Sequence, residues 1–417
     1  MIKTIVINNK SYELNFLAAW IKYTRIKKQY SQEALCHGIC SISHLSYFEN
    51  GKKPLRADII ELLLKRLSLS LNDNITNIGH IRQKFNTMAS YIEGYDYDGA
   101  KKIYNELLSI EHIISTSPYY IEFQIYTLIY NAFIEKGKYD ELKSDIEMLD
   151  KVSDSLSDEL KALYFLVSGK LMINTELNSQ GLERLQLSRN LKENTWINYT
   201  LGLACCFSNS SSKGTYYLEK ALTTYENSGL YLNAIWCHNY IGVCYSNMKI
   251  YDSAKKHFNA ALTSAKHYDI EDLLAHIYTS ISDLYLNKGD YEKCIEWSLL
   301  GISLPSRHNI CVYNYTLANI NLKQYDKCDE MFEKYLYKDC HTKFSYSILY
   351  FLYLVVHHFD DDLFYNEIKY NLLPYFESIQ RVDIIRDVKL KFIEYLEKNR
   401  KYKEANKIYK ELLATTL

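Results

Sequence analysis

The sequence predicts an all-α protein in two parts, a compact N-terminal unit of short helices followed by a long array of helical hairpins. The chain has 417 residues, too many for one compact core, and only 14 glycines and 4 prolines interrupt its helices. A pattern of small and aromatic residues recurs every 33 to 42 residues. With 47% hydrophobic and 24% charged residues, the composition is that of a globular protein rather than a disordered one.

Charge separates the two parts. Residues 1–70 carry eleven Lys/Arg against five Asp/Glu, whereas the rest of the chain has seven more acidic than basic residues. The net charge of -1 therefore conceals a basic N-terminal part on an acidic body. This balance excludes a wholly basic coat protein and a wholly acidic tail protein, and it favours an anion-binding N-terminal module.

The sequence gives no sign of export or membrane insertion. Residues 1–20 lack the apolar run of a signal peptide, and the most apolar segment, 346–356, is about half as long as a membrane span. We therefore expect 346–356 to be a buried helix and the protein to be cytoplasmic. No two cysteines form a Cys-x-x-Cys pair, so the ten are interpreted as small buried hydrophobic residues: Cys36, Cys40, Cys205, Cys206, Cys237, Cys244, Cys294, Cys311, Cys328 and Cys340.

Four short helices are predicted in the N-terminal part, over 16–28, 32–37, 42–48 and 57–67. Ser31 and Ser41 are N-cap residues for the second and third helices, because a serine hydroxyl accepts from free amides of the first turn. Gly38 separates these two helices, and Gly51 ends the third. Two short helices joined by a glycine-containing turn and flanked by packing helices form a helix-turn-helix unit.

The run from Ser31 to Gly51 resembles the Cro/repressor-type helix-turn-helix, with Ser-Gln at the start of one helix and Glu-Asn-Gly at the end of the next. The resemblance implies a DNA-binding domain over 1–72, in which Gln32 contacts a phosphate. On the third helix we expect Ile42, Leu45 and Phe48 to face inward. The alternative is a merely solvated polar face. The predicted DNA-binding residues are Gln32, Ser41, Ser43, His44, Tyr47, Lys52, Lys53 and Arg56.

The recurring pattern is clearest over 233–266, where Ile241-Gly242 and Tyr245 precede Ala254 and Phe258 at the offsets of a tetratricopeptide repeat. The resemblance implies a right-handed superhelical tetratricopeptide-repeat array over 80–417, with about nine hairpins and a concave face that receives an extended peptide. The units around Gly181 and Asn366 match least well. The close-contact positions of the second helices are Ala100, Leu142, Gly181, Gly214, Ala254, Cys294, Cys328, Asn366 and Ala405.

Peptide-binding candidates follow from fixed offsets on the first helix of each hairpin. Asn239 is the strongest, because an amide both donates to and accepts from a peptide backbone. Ordinary hydrogen bonding between repeats is the alternative for each of them. The full set is Asn131, Tyr199, Asn239, Thr279, Asp283, Asn287, Tyr313 and Asn321.

Motifs for catalysis are absent from the sequence, which contains no P-loop, no His-Glu-x-x-His and no glycine-rich dinucleotide turn. His357 and His358 are adjacent and point apart on a helix, which disfavours a metal pair. We therefore expect no enzyme activity, no cofactor and no metal.

The combination resembles the Gram-positive peptide-pheromone receptors of the Rgg/NprR/PlcR/PrgX family, and its length is most similar to the NprR type. The resemblance implies a homodimeric transcription regulator that binds a double-stranded DNA operator and is switched by a short signalling peptide. A phosphorelay protein is a further partner implied by it. Rap-type phosphorelay binders or phosphatases, phage arbitrium receptors and a scaffold with a vestigial DNA-binding domain are the alternatives.

Overall fold

A computed structural model describes residues 4–7, 10–69, 71, 78–135, 137–173, 175, 177–208, 210–305, 309–336, 342–379 and 382–414. Almost all of these residues that are not in turns are helical, which confirms the predicted all-α class. Chain contacts divide the protein into two compact units, residues 1–173 with 179–197 and residues 174–178 with 198–417. Each unit is described by itself.

The first unit opens with six short elements over residues 4–66, here called the head. They are β1 (Thr4–Ile7), β2 (Lys10–Glu13), α1 (Leu14–Lys27), α2 (Gln32–Cys36), α3 (Ile42–Glu49) and α4 (Ala57–Arg66). The four helices match the predicted ones to within two residues at each end. The antiparallel pair of β1 and β2, with Thr4 opposite Glu13 and Ile7 opposite Lys10, was not predicted.

Local chemistry sets the bounds of α2 and α3. The Ser31 hydroxyl accepts from the Ala34 amide, and the Ser41 hydroxyl accepts from the His44 amide, so both predicted N-caps are confirmed. Gly51 follows α3 with a φ of +66°, a left-handed conformation that glycine adopts without a steric penalty.

Apolar side chains from all the head helices form one core. Trp20, Leu45, Phe48 and Leu63 are fully buried there. Cys36, in a position where the resembled motif has a small residue, is buried in the same core. Burial of these side chains stabilises the head by about 1.5–3 kcal/mol each.

Three hairpins complete the first unit. Their helices are α5 (Ile78–Glu93) with α6 (Tyr97–Ser109), α8 (Tyr120–Phe133) with α9 (Tyr139–Val152), and α10 (Asp158–Met172) with α11 (Asn178–Leu191); the short α7 (Glu111–Ile114) and a 3-10 turn (Ser153–Ser155) lie between them. The division between the units falls inside α12 (Thr195–Cys206), of which residues 195–197 belong to the first unit.

The second unit continues the hairpins. Its helices are α13 (Ser211–Asn227), α14 (Tyr231–Asn247), α15 (Tyr251–His267), α16 (Glu271–Lys288), α17 (Tyr291–Ile302), α18 (Asn309–Asn321), α19 (Tyr325–Met331), α20 (Lys343–His357), α21 (Asp362–Glu367), α22 (Leu373–Ser378), α23 (Val382–Lys398) and α24 (Tyr402–Ala414). Within this unit α14 packs against α16, and α16 packs against α18, so the first helices of successive hairpins adjoin one another.

Small residues bring the two helices of a hairpin together. A Cβ on Gly242 of α14 would lie 2.6 Å from Cε1 of Phe258 on α15, so only glycine fits at this contact. Ala254 and Ala261, on the facing side of α15, are fully buried.

Two π-helical turns distort the later hairpins. Phe332–Leu336 continues α19, and Ile368–Leu372 joins α21 to α22. A π turn inserts a residue into the helical repeat and shifts the side chains that follow it. This shift explains the poor match of the unit around Asn366 to the common pattern.

The segment 346–356 lies within α20, where Ile348, Phe351 and Leu352 are fully buried, as predicted. A search of the described residues finds no helix with the length and apolar character needed to cross a bilayer. Of the nine described cysteines eight are buried and Cys40 is half-buried, which agrees with their interpretation as small hydrophobic residues; Cys340 lies outside the described residues.

Candidate functional site

The outer face of α3 carries the predicted DNA-reading side chains. Ser43, His44 and Tyr47 are exposed, and Ser41 caps the helix just before them, while Ser46 is half-buried. Leu45 and Phe48 face the head core as expected. The prediction for Ile42 is wrong: its side chain is 47% exposed, because it begins the helix beyond the edge of the core. An exposed apolar side chain therefore lies beside the polar ones.

A buried ion pair fixes α3 in the head. Glu49, the last residue of α3, is 0% exposed, and its carboxylate accepts from Arg25 Nε at 2.6 Å and from Arg25 Nη2 at 2.8 Å. The Gln32 amide donates to the same carboxylate at 2.8 Å. Gln32, predicted to contact a phosphate, thus links the start of α2 to the end of α3. A bidentate guanidinium–carboxylate pair has a defined geometry, so the angle between these helices is well determined.

The basic residues of the head have two different roles. Lys52 and Lys53 follow α3 and are exposed, as the predicted phosphate contacts must be, whereas the exposed Arg56 is paired with Asp58 at 2.9 Å. Other cations bond inside the head: Lys22 donates to Asn50 at 3.0 Å, Lys28 donates to the Leu67 carbonyl at 2.5 Å, and Arg66 donates to the Leu35 and His37 carbonyls at 2.8 and 2.6 Å. Part of the positive charge of the head is therefore structural.

Arg82 of α5 joins the head to the first hairpins. It donates to Glu13, at the start of α1, at 2.7 Å and to Glu122 of α8 at 3.2 Å. Its guanidinium also lies 4.4 Å from the ring centre of Phe16 and 5.4 Å from that of Tyr119. Burial raises the pKa of Glu122, and the nearby Arg82 opposes that effect.

A second contact holds the far end of α3. The Ser155 hydroxyl, in the 3-10 turn after α9, donates to the Glu49 carbonyl. Tyr23 of α1 packs edge-on against Tyr120 of α8, with ring centres 5.6 Å apart. None of these contacts covers Ser43, His44 or Tyr47, so the head is fixed to the hairpins with its outer face open.

The peptide-binding candidate of the first unit is Asn131, near the end of α8. It is half-buried, and its carbonyl accepts from the Gly137 amide at 2.9 Å. Beside it, Phe133 packs on Trp196 of α12 with ring centres 4.9 Å apart, and Lys170 of α10 lies 4.6 Å from the centre of the Phe133 ring.

Asn239 lies inside the second unit rather than on an open surface. Its side chain is 1% exposed, and its Oδ1 has no hydrogen-bond partner among the described residues. Leaving a buried amide oxygen unpaired costs about 1–3 kcal/mol, so this atom is a polar group without compensation. Tyr199 is half-buried and packs edge-on against Tyr225 at 6.2 Å.

The other candidates of the second unit form mainly local or inter-helix bonds. Thr279 lies 3.0 Å from Cys311 Sγ, Asn287 donates to Asp283 at 3.1 Å, and Asn321 donates to the Leu317 carbonyl at 2.8 Å. The Tyr313 hydroxyl donates to Asp387 of α23 at 2.8 Å. The structure therefore does not gather all the predicted residues into one cluster.

An aromatic row on α14 was missed as a candidate site. Trp236 stacks on Tyr240 at 5.6 Å and packs edge-on against His276 of α16 at 4.9 Å. Tyr240 in turn packs against Phe207, whose side chain is half exposed. The fixed position of Trp236, six residues before Gly242, was the signal that could have identified this row.

Comparison with known proteins agrees with the resemblance predicted from the sequence. The chain is 23% identical over 399 residues to "Transcriptional activator NprA" of Geobacillus stearothermophilus, which covers 90% of this chain and 97% of that protein. The chain resembles the NprR-type regulators in sequence and in fold. No family model matches it.

Two solved structures show the shared fold. One is NprR in complex with its cognate peptide NprX, with a TM-score of 0.64, 18% identity, and 81% of this chain and 99% of that chain covered. The other is a Rap protein complexed with competence and sporulation factor, with a TM-score of 0.69, 14% identity, and 81% and 98% covered.

Proposed function

We propose that this protein is a cytoplasmic transcription regulator that binds operator DNA through α3 and is switched by a short signalling peptide. The observation that carries the proposal is the open, polar face of α3 on a head that is fixed to an array of helical hairpins. The name of its relative NprA as a transcriptional activator supports the first step. The peptide NprX in the structure of NprR supports the second.

In the DNA step, Ser43, His44 and Tyr47 contact base edges in the major groove, and Lys52 and Lys53 contact phosphates. The capped start of α3 adds the positive end of the helix dipole. One short helix makes too few base contacts for operator specificity, so the protein acts as a homodimer on two half-sites.

In the peptide step, an extended peptide binds along the first helices of the hairpins. The row of Trp236, Tyr240 and His276 supplies aromatic surface, and the unpartnered Oδ1 of Asn239 supplies an acceptor for a peptide amide after a small side-chain movement. The peptide switches DNA binding only if it binds one arrangement better, and a tenfold difference in affinity corresponds to about 1.4 kcal/mol.

The test is capture of genomic DNA fragments by the purified full chain, with and without the small-peptide fraction of the host's spent medium. The proposal expects a few discrete fragments whose yield changes when peptide is present. A control in which Ser43 and His44 are both replaced by alanine retains the fold and loses the discrete fragments. Recovery of only a salt-sensitive background in both conditions would overturn the proposal.

The likeness to the Rap structure favours a second candidate, binding of a phosphorelay protein by the hairpins. This function does not need the head. Replacing Lys52 and Lys53 with alanine distinguishes the two, because a DNA-binding protein loses affinity for all sequences and shows a weaker salt dependence. A phosphorelay binder keeps its protein partner unchanged in the same variant.

A further inference from the structure

Lys170 lies between aromatic side chains of the neighbouring hairpins in the first unit. It belongs to α10, and its ammonium nitrogen is 4.6 Å from the ring centre of Phe133 on α8. Trp196 of α12 packs on the other part of the Phe133 ring at 4.9 Å and is itself buried. Since these residues come from the first helices of three successive hairpins, they lie on the face where the proposed function places the peptide.

The Lys170 ammonium has few partners for a group with three N–H donors. It donates to the Ala132 carbonyl at 3.5 Å, the long end of the hydrogen-bond range. No ion pair with a carboxylate is present for it within the described ranges. Burial lowers the pKa of Lys170, and no charged group among those described opposes that effect.

A lysine on the same helix shows the contrast. Lys161 also lies near an aromatic ring, 5.7 Å from the centre of Phe165, but its ammonium is 3.2 Å from the carboxylate of Asp154. A buried cation without an anion is expensive to maintain, because its lost hydration is not replaced. Lys170 bonds one carbonyl near the end of α8, which leaves two of its donors for another group.

We infer that Lys170 is the carboxylate-binding subsite for the signalling peptide, and that Phe133 and Trp196 form its apolar walls. The carboxylate is either the C-terminus of the peptide or an Asp or Glu side chain. This inference rests on the proposed function, since it names the chemistry of the ligand at one end of the same helix face. A single carboxylate supplies the negative charge and the acceptors that the ammonium lacks.

The experiment uses pools of short synthetic peptides with randomised sequence and the purified full chain. One pool has free C-termini, a second has amidated C-termini, and a third is amidated and lacks Asp and Glu. Peptides retained on the protein are separated by size exclusion and sequenced by mass spectrometry. The variants are Lys170→Met, the conservative Lys170→Arg and the matched control Lys161→Met. Glu176→Gln tests the nearest acidic residue along the chain, which lies outside the described residues.

The inference expects wild type, Lys170→Arg, Lys161→Met and Glu176→Gln to enrich carboxylate-bearing peptides, and Lys170→Met to lose that enrichment about tenfold or more, equivalent to about 1.4 kcal/mol. Preference for the first pool over the second assigns the C-terminus; equal retention assigns an acidic side chain. An unchanged preference in Lys170→Met, or equal loss of all three pools, overturns the subsite alone. If wild type retains no pool, the proposed peptide binding itself fails.

Discussion

Replacing Arg25 with methionine should destabilise the head strongly, because it leaves the Glu49 carboxylate buried without its cation. The side chain of Glu49 is fully buried, and that of Arg25 is 12% exposed, so water cannot replace the two lost hydrogen bonds. Removing one partner of such a pair costs about 3–5 kcal/mol. Gln32 keeps its bond to Glu49 but supplies no positive charge.

Urea unfolding of the head, followed by hydrogen exchange of the amides of α1 and α3 in the full chain, measures this cost. The double variant with Arg25 and Glu49 both replaced by methionine should be less destabilised than the sum of the two single variants by about 1–3 kcal/mol, since it removes the unpaired charge. A loss below about 1 kcal/mol for the Arg25 variant would refute the reasoning, because it would mean that solvent reaches Glu49.

Three further predictions concern other contacts. Replacing Arg82 with methionine should increase hydrogen exchange in β2 and α1 and weaken operator binding without altering the exposed face of α3, as gel-shift titration would show; unchanged exchange contradicts this. Replacing Gly242 with alanine should cost about 1–3 kcal/mol in thermal unfolding, because the new Cβ would overlap Phe258, and a neutral effect would show that the hairpin yields easily. Burial and the neighbouring His238 lower the pKa of His257 to about 4, so the unfolded chain takes up the proton first as the pH falls. Stability should therefore be unaffected above about pH 6.5 and decrease towards pH 4 by about 1–2 kcal/mol after allowance for solvent screening, and His257→Gln should flatten that dependence.

Local signals made the head predictable. The hydroxyls of Ser31 and Ser41 and the left-handed Gly51 act within a few residues, so the sequence pattern defines α2 and α3 directly. The β-hairpin was missed because each strand has only four residues and the second is mostly polar. Ile42 was assigned to the core because it shares a helical face with Leu45, but helical periodicity does not show where the core ends.

Long-range contacts explain what the sequence could not show about the candidate sites. Arg82 and Glu13 are 69 residues apart, and Tyr313 and Asp387 are 74 apart, so no periodic pattern connects them. The offset from the glycine position identifies the exposed side of a first helix, yet it does not reveal that Tyr313 bonds to α23. Likewise, the charge of residues 1–70 was visible, but the use of Arg25 and Arg66 as internal bonds was not.

The most direct test of the central claim is the affinity of the full chain for a captured operator fragment and for a scrambled fragment, measured by fluorescence anisotropy across a salt series with and without the spent-medium peptide fraction. The account predicts that His44→Ala reduces the preference for the operator, costing about 1–3 kcal/mol, while replacing Lys52 and Lys53 weakens both complexes and reduces the salt slope by about 2. It also predicts that peptide changes only the wild-type operator affinity at a given salt concentration by a measurable factor. Equal affinity for both fragments in wild type, unaffected by peptide, would contradict it.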